Sequence, residues 1–223
     1  MKRHGNNPLI TPGDVVPSLP GRKVECVFNA GVTEYHGEII LLLRVAESVI
    51  NDDPQKIVVP LLAPQSGGWQ AATKTFDRND PRYDFSDPRT IVLKSDPAQL
   101  WLTSMSHLRL ARSQDGVNFT IDEKPFITAD SRYEEFGCED ARITLIDDVW
   151  YINYSAVSSL GISTALATTV DFVAVEKKGL IFCPDNRDVC FFPEKVGGSF
   201  RALTRPAPCH FGQRSRARSA ARR

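Results

Sequence analysis

Short runs of apolar, β-branched and aromatic residues recur along this chain, at 24–28, 39–45, 57–62, 90–93, 100–104, 108–111, 143–146, 149–154 and 163–167. Turn-forming residues separate them, among them Asn29-Ala30-Gly31, Asp115-Gly116, Asp147-Asp148 and Pro184-Asp185-Asn186. Runs of this length between Gly, Pro, Asp and Asn predict strands joined by hairpins, because those residues supply the backbone angles that reversals need. No segment has the period of a long amphipathic helix. The pattern predicts an all-β fold.

A repeat runs through the pattern. Asp87-Pro88-Arg89 opens a segment passing through TIVLKSDPAQLWLTS to LRLARSQDGVNF, and 53 residues on, Asp140-Ala141-Arg142 opens another, passing through ITLIDDVWYINYS to TALATTVDFVAV. Each has Asp-x-Arg, a strand, an acidic turn, an aromatic strand and a small-residue strand. A unit of that size with about four strands is what a β-propeller blade requires. At this period residues 1–205 hold three to four blades, an incomplete propeller. A sandwich is the alternative architecture.

The 223 residues, 42% hydrophobic and 24% charged, suit a soluble globular domain. Basic and acidic residues balance at 27 each, which gives no global attraction to nucleic acid or membrane. The balance hides a basic end: the last eighteen residues carry five arginines and no acid, leaving residues 1–205 at 22 positive against 27 negative. Residues 206–223 therefore read as a disordered basic tail. The five cysteines form no Cys-x-x-Cys pair, and no run has the length of a signal peptide or a bilayer span. Reduced, buried thiols in a cytoplasmic protein are the expectation.

Three polar clusters carry candidate chemistry. In Phe136-Gly137-Cys138-Glu139-Asp140-Ala141-Arg142 two carboxylates precede an apolar strand. Adjacent residues of an extended chain point to opposite sides, so one of Glu139 and Asp140 is expected to face a pocket. The second cluster holds Arg187, Lys195 and Arg205 among turn residues. Such cations suit phosphate oxygens, or simply solvated surface. In the third, Arg44 follows four apolar residues, and a charge in such a strand must be paired or face a polar cavity. Asn29 precedes Arg44 by fifteen residues, and Arg109 sits in a similar run. The four histidines lack metal-ligand spacing, so no metal site is expected. No Gly-rich phosphate loop or nucleophile elbow occurs.

Taken in order, these segments resemble glycoside hydrolase family 130, the mannoside phosphorylases and related mannosidases. The matching stretches are Asn7-Pro8-Leu9-Ile10-Thr11-Pro12, Val27-Phe28-Asn29-Ala30-Gly31, Leu41-Leu42-Leu43-Arg44, Ser113-Gln114-Asp115-Gly116, Gly137 through Arg142, Asn186-Arg187-Asp188, Phe192-Pro193-Glu194-Lys195 and Arg205-Pro206. The resemblance implies a five-bladed propeller, present here in part over residues 1–205. It implies Asp140 as the catalytic acid, protonating the glycosidic oxygen through the mannosyl 3-hydroxyl. Arg187, Arg205 and Lys195 fall to phosphate, and Asn29, Arg44 and Arg109 to the sugar. Phosphate then attacks the anomeric carbon from the opposite face, giving mannose 1-phosphate with inversion. Phosphate serves as co-substrate and no cofactor is implied. The expected partners are a mannooligosaccharide and phosphate, with no nucleic acid or membrane; a homo-oligomer is compatible. The segment 102–109 is similar to members acting on β-1,2-mannosides.

The chain departs from the family pattern at Ala30 and Ala141, where proline is usual, and after Arg205-Pro206, where the arginine-rich end replaces further propeller sequence. His210 lies in that end and is not carried over as a phosphate ligand. Two alternatives stay open: an inverting β-mannosidase using water, and a truncated non-catalytic remnant that binds sugar.

Overall fold

The computed structural model describes residues 4–206, which are all-β apart from two short 3-10 turns, Pro12–Asp14 and Arg132–Glu134. The strands are β1 (Arg22–Tyr35), β2 (Glu38–Val49), β3 (Lys56–Gln65), β4 (Gly68–Asp77), β5 (Tyr83–Asp84), β6 (Thr90–Leu93), β7 (Leu100–Leu102) and β8 (Met105–Ser113). There follow β9 (Thr120–Ile121), β10 (Gly137–Ile146), β11 (Val149–Ser158), β12 (Gly161–Thr169), β13 (Glu176–Phe182), β14 (Asn186–Phe191) and β15 (Ala202–Pro206). Every apolar run predicted as a strand overlaps one. Pro206, assigned above to the tail, ends β15 opposite Asn186, and the rest of the tail lies outside the described residues.

One eight-stranded sheet runs β1-β2-β8-β10-β11-β12-β13, with β9 beside β8. It consists of two antiparallel halves. β1, β2, β8 and β9 make the first, and β10 to β13 make the second as a meander. They meet through one parallel pair, Gly137 against Ser106. The β3–β4 hairpin, the β5-β6-β7 sheet and the β14–β15 pair stand outside it, and the described sheets do not close into a ring.

The long apolar run of β2 follows from its burial on both faces. Ile40 and Leu42 pack with Leu108, Leu110, Ile152 and Tyr154 on one face, and Leu43 and Val45 pack with Val15 and Ala111 on the other. The first of these clusters joins the two halves of the sheet. His36-Gly37 and Asp147-Asp148 both have positive φ at their two central positions, as a two-residue hairpin turn matching strand twist requires.

The repeat seen in the sequence is real in its second part and misplaced in its first. After β8, Ser113 Oγ accepts from Gly116 N at 2.9 Å, and Asp115 Oδ1 accepts from Val117 N and Asn118 N. After β12, Thr169 Oγ1 accepts from Phe172 N at 3.0 Å, and Asp171 Oδ1 accepts from Val173 N and Ala174 N. One turn is thus built twice. Asp87-Pro88-Arg89 and the strands after it, however, belong to the separate β5-β6-β7 sheet. Residues 51–104 are an insertion between β2 and β8, and β1 and β2 are the true counterparts of β10 and β11. The described strands accordingly form two four-stranded halves, the β3–β4 and β14–β15 pairs and the three-stranded β5-β6-β7 sheet, without a uniform spacing of 53 residues.

The thiols also differ from expectation. Cys138 is buried, but Cys26 and Cys183 are exposed and Cys190 is intermediate, all four unpaired. Only Cys138 lies on a core-facing position of a central strand; Cys209 lies outside the described residues.

At the junction of the halves Gly137 has φ 113°, and a Cβ there would stand 2.3 Å from the Ser106 carbonyl oxygen. Gly137→Ala should therefore destabilise the protein by more than about 2 kcal/mol, read as a lowered denaturation midpoint.

Candidate active site

Three strands, β1, β10 and β14, carry the same local distortion. The β1–β2 register slips between Phe28 and Gly31, β10–β11 between Glu139 and Arg142, and β14–β15 between Arg187 and Cys190. At each slip one Asn or Asp is left-handed: Asn29 at φ 48°, Asp140 at 49° and Asp188 at 55°. A bulge inserts an extra residue and re-aims a side chain, and Asn and Asp tolerate this conformation best among residues with a Cβ. All three residues line one open pocket of about 560 Å³, together with Gly31, Arg142 and Cys190. β1 and β10 approach so closely that a Cβ at Gly31 would meet the Ala141 carbonyl oxygen at 2.9 Å.

Asp140 sits at the centre of a hydrogen-bonded cluster. Its Oδ1 accepts from Asn29 Nδ2 at 2.9 Å and from Arg44 Nη1 at 2.9 Å. Arg44 Nη2 donates to Glu139 Oε1 at 2.6 Å and Nε to Ser106 Oγ at 3.1 Å, while the guanidinium lies 4.4 Å from the Phe28 ring centre. Of the two neighbouring carboxylates only Asp140 lines the pocket, as expected of one of the pair. The left-handed turn at Asp140 breaks strand alternation, so both carboxylates reach one guanidinium. Their roles separate by exposure: the Asp140 side chain is 30% exposed and that of Glu139 15%. Burial pushes the Glu139 carboxyl above its ordinary range, countered by Arg44 and reinforced by Asp140.

β14 is tied to the second half by Asn153 Nδ2 donating to Val189 O at 2.8 Å and Thr164 Oγ1 donating to Asn186 O at 2.9 Å. This brings Arg187 near enough for its charge to act on Glu139. Arg205 is directly opposite Arg187 in the β14–β15 register and ion-pairs with Asp188.

Neither Arg187 nor Arg205 lines the pocket, and two further sequence-predicted residues join neither its lining nor the Asp140 cluster. Lys195 pairs with Asp147 at 2.5 Å, at the turn end of β10, and does not line the pocket. The loop between β14 and β15 carries it away from Arg187. Arg109 is fully buried and donates to Val16 O at 2.6 Å. It pairs across the sheet with Leu43, so strand alternation sends it to the face opposite Arg44. Conversely, Ser106, Phe28 and Asp188 belong to the site and were not singled out from the sequence, and Glu139, the other carboxylate of the pair, anchors Arg44. The signal available for Asp188 was the recurring Asn or Asp before a small or β-branched residue, as in Asn29-Ala30, Asp140-Ala141 and Asp188-Val189.

Among the described residues no group of three or more His, Cys, Asp and Glu side chains is placed to hold a metal ion, and no helix is long and apolar enough to cross a membrane.

Beside Arg109, the buried His107 ring has its pKa lowered from 6.5 to about 3 by burial and by the Arg109 charge. A base whose folded pKa lies below its unfolded value favours the native state while neutral. That stability is lost as pH falls through 6.5 and levels off below about 3. Over that window His107→Gln should remove a slope of about 1.4 kcal/mol per pH unit from the stability curve. Denaturant titrations at a series of pH values measure it; parallel curves for the two proteins would contradict the burial of a neutral ring.

The chain is similar to known proteins over most of its length. The family model described as beta-1,4-mannooligosaccharide phosphorylase, that of glycoside hydrolase family 130, matches residues 100–206. A beta-1,2-mannobiose phosphorylase of Listeria innocua serovar 6a is 47% identical over 206 residues, covering 92% of this chain and 58% of the relative. A 1,2-beta-oligomannan phosphorylase of Thermoanaerobacter sp. is 34% identical over 107 residues, 47% of this chain and 36% of the relative. The solved structure of the Listeria innocua enzyme in complex with beta-1,2-mannobiose superposes with a TM-score of 0.86 at 46% identity, over 92% of this chain and 58% of that one. The chain thus spans less than two thirds of the length of these relatives. Over that span the chain matches glycoside hydrolase family 130 in sequence and in fold.

Proposed function

We propose that this chain carries the acid-bearing part of a cytoplasmic β-mannoside phosphorylase, acting on short β-1,2-linked mannosides with inorganic phosphate as co-substrate. The observation that carries the reading is the clamp on Asp140. Arg44 and Asn29 both donate to one carboxylate oxygen at the wall of the pocket, fixing the plane of the group. A carboxyl fixed in this way can present its proton in one direction, which general acid catalysis requires. The two halves of the sheet are then successive blades of a five-bladed propeller and β14–β15 the start of a third, with the bulged strands facing the axis.

In the reaction so read, Asp140 passes a proton through the mannosyl 3-hydroxyl to the glycosidic oxygen. The bond from that oxygen to the anomeric carbon breaks, and a phosphate oxygen bonds to the carbon from the other face. The leaving sugar keeps the proton, and mannose 1-phosphate departs with inverted configuration. Support for phosphate lies in Arg187 and Arg205, like charges directly opposite across two strands, an arrangement that repels unless anions lie between or beside them. Asp188 supplies one such anion to Arg205, and phosphate would compete with it. The names of the relatives support mannosides joined through β-1,2 bonds as the substrate class.

Incubation with β-1,2-mannobiose and phosphate should yield mannose 1-phosphate. Asp140→Asn should lower the rate by about 10²- to 10⁴-fold without unfolding the protein. Hydrolysis indifferent to phosphate would replace phosphorolysis by the mannosidase reading, and saturable sugar binding without turnover would replace it by the sugar-binding one.

A further inference from the structure

Where β2 ends and β8 begins, residues of the β3–β4 hairpin come against the sheet and enclose a second cavity of about 300 Å³. It shares no lining residue with the Asp140 pocket, although Ser106, which accepts from Arg44 in that cluster, also borders this cavity. Its size is at the lower end of the roughly 300–1,000 Å³ range of small-molecule sites, room for one sugar ring and not a chain.

The wall is chemically unfinished. His107, 7% exposed, presents Nε2 without a hydrogen-bond partner, and Arg22 presents Nη1 in the same condition. Buried polar atoms of this kind are rare in native proteins unless water or a ligand completes them. Opposite in character stands Glu47, 4% exposed, whose oxygens accept from Ser18 N at 2.7 Å and Ser18 Oγ at 2.5 Å. Trp69 and Met105 add apolar surface.

This lining selects a neutral polyhydroxylated ligand over an anion. A hydroxyl both donates and accepts, so one set of hydroxyls can serve the Arg22 donor, the imidazole and the Glu47 carboxylate together. The C–H face of a pyranose suits an indole. A phosphate would meet the Glu47 charge and an imidazole that burial keeps neutral. We propose that the cavity is a second carbohydrate site, seating one hexose ring against Trp69 with its hydroxyls on Arg22, His107 and Glu47. The ligand class is read from the cavity's own lining and does not depend on the role of Asp140.

Titration of the protein with mannose, followed by calorimetry and by tryptophan emission, tests the site. Saturable binding is expected, unchanged in Asp140→Asn and unaffected by inorganic phosphate. Trp69→Ala and Arg22→Gln, both at half-buried positions, should each weaken it about tenfold while the melting temperature holds. Should Arg22→Gln lower that temperature, Trp69→Ala on the hairpin decides alone. Absence of saturable binding overturns the proposal. So does binding lost in Asp140→Asn but retained in Trp69→Ala, or mannose displaced by phosphate.

Discussion

The Arg44 guanidinium lies between two carboxylates of a neighbouring strand, and the rest of the site is arranged around the need to satisfy it. Arg44 stands in the middle of β2, whose neighbours on both faces are packed hydrocarbon, so its charge is largely shielded from water. Removing one member of such a buried pair typically costs about 3–5 kcal/mol, because the other is left charged and alone. Glu139 and Asp140 answer from β10, Ser106 from β8 and the Phe28 ring from β1. One side chain therefore fastens the first half of the sheet to the second at the point where Asp140 enters the pocket. The fold and the orientation of the candidate acid are consequences of the same ion cluster.

The bulges explain how adjacent residues share that guanidinium. A regular strand would send Glu139 and Asp140 to opposite faces. The left-handed residue at 140 turns the chain so that the more buried carboxylate anchors Arg44 while the more exposed one borders the pocket. Asn29 and Asp188 occupy the equivalent positions of β1 and β14. Repetition of one backbone device, and not repetition of sequence, gathers three polar side chains around a common space.

Much of the strand content was legible because apolar runs such as 39–45 and 149–154 coincide with strands covered by packed side chains. The polar strands were not: β4, GWQAATKTFD, has mostly exposed or half-buried positions, so its composition resembles a loop. The insertion at 51–104 hid the pairing of β1 with β10 as counterparts, since it stretches their spacing to 111 residues while the outer turns stay 56 apart. At the site, Asp140 and Arg44 were visible as charges beside apolar strands, their roles and that of Asn29 came from family resemblance, and the structure brings the three into contact across the sheet. Arg109 was misassigned because a charge in an apolar run reveals burial but not which face it takes. Lys195 was misassigned because proximity in sequence to Arg187 and Arg205 says little across a hairpin loop.

The central claim is that Asp140, held by Arg44 and Asn29, delivers a proton to the leaving sugar. Comparing phosphorolysis of β-1,2-mannobiose with that of a dinitrophenyl β-mannoside, in the native protein and in Asp140→Asn, tests it most directly, because the nitrophenolate leaves without protonation. The account predicts a severe loss on mannobiose and little loss on the activated substrate. Equal losses on both would contradict it, assigning Asp140 to sugar binding or to structure in place of proton donation.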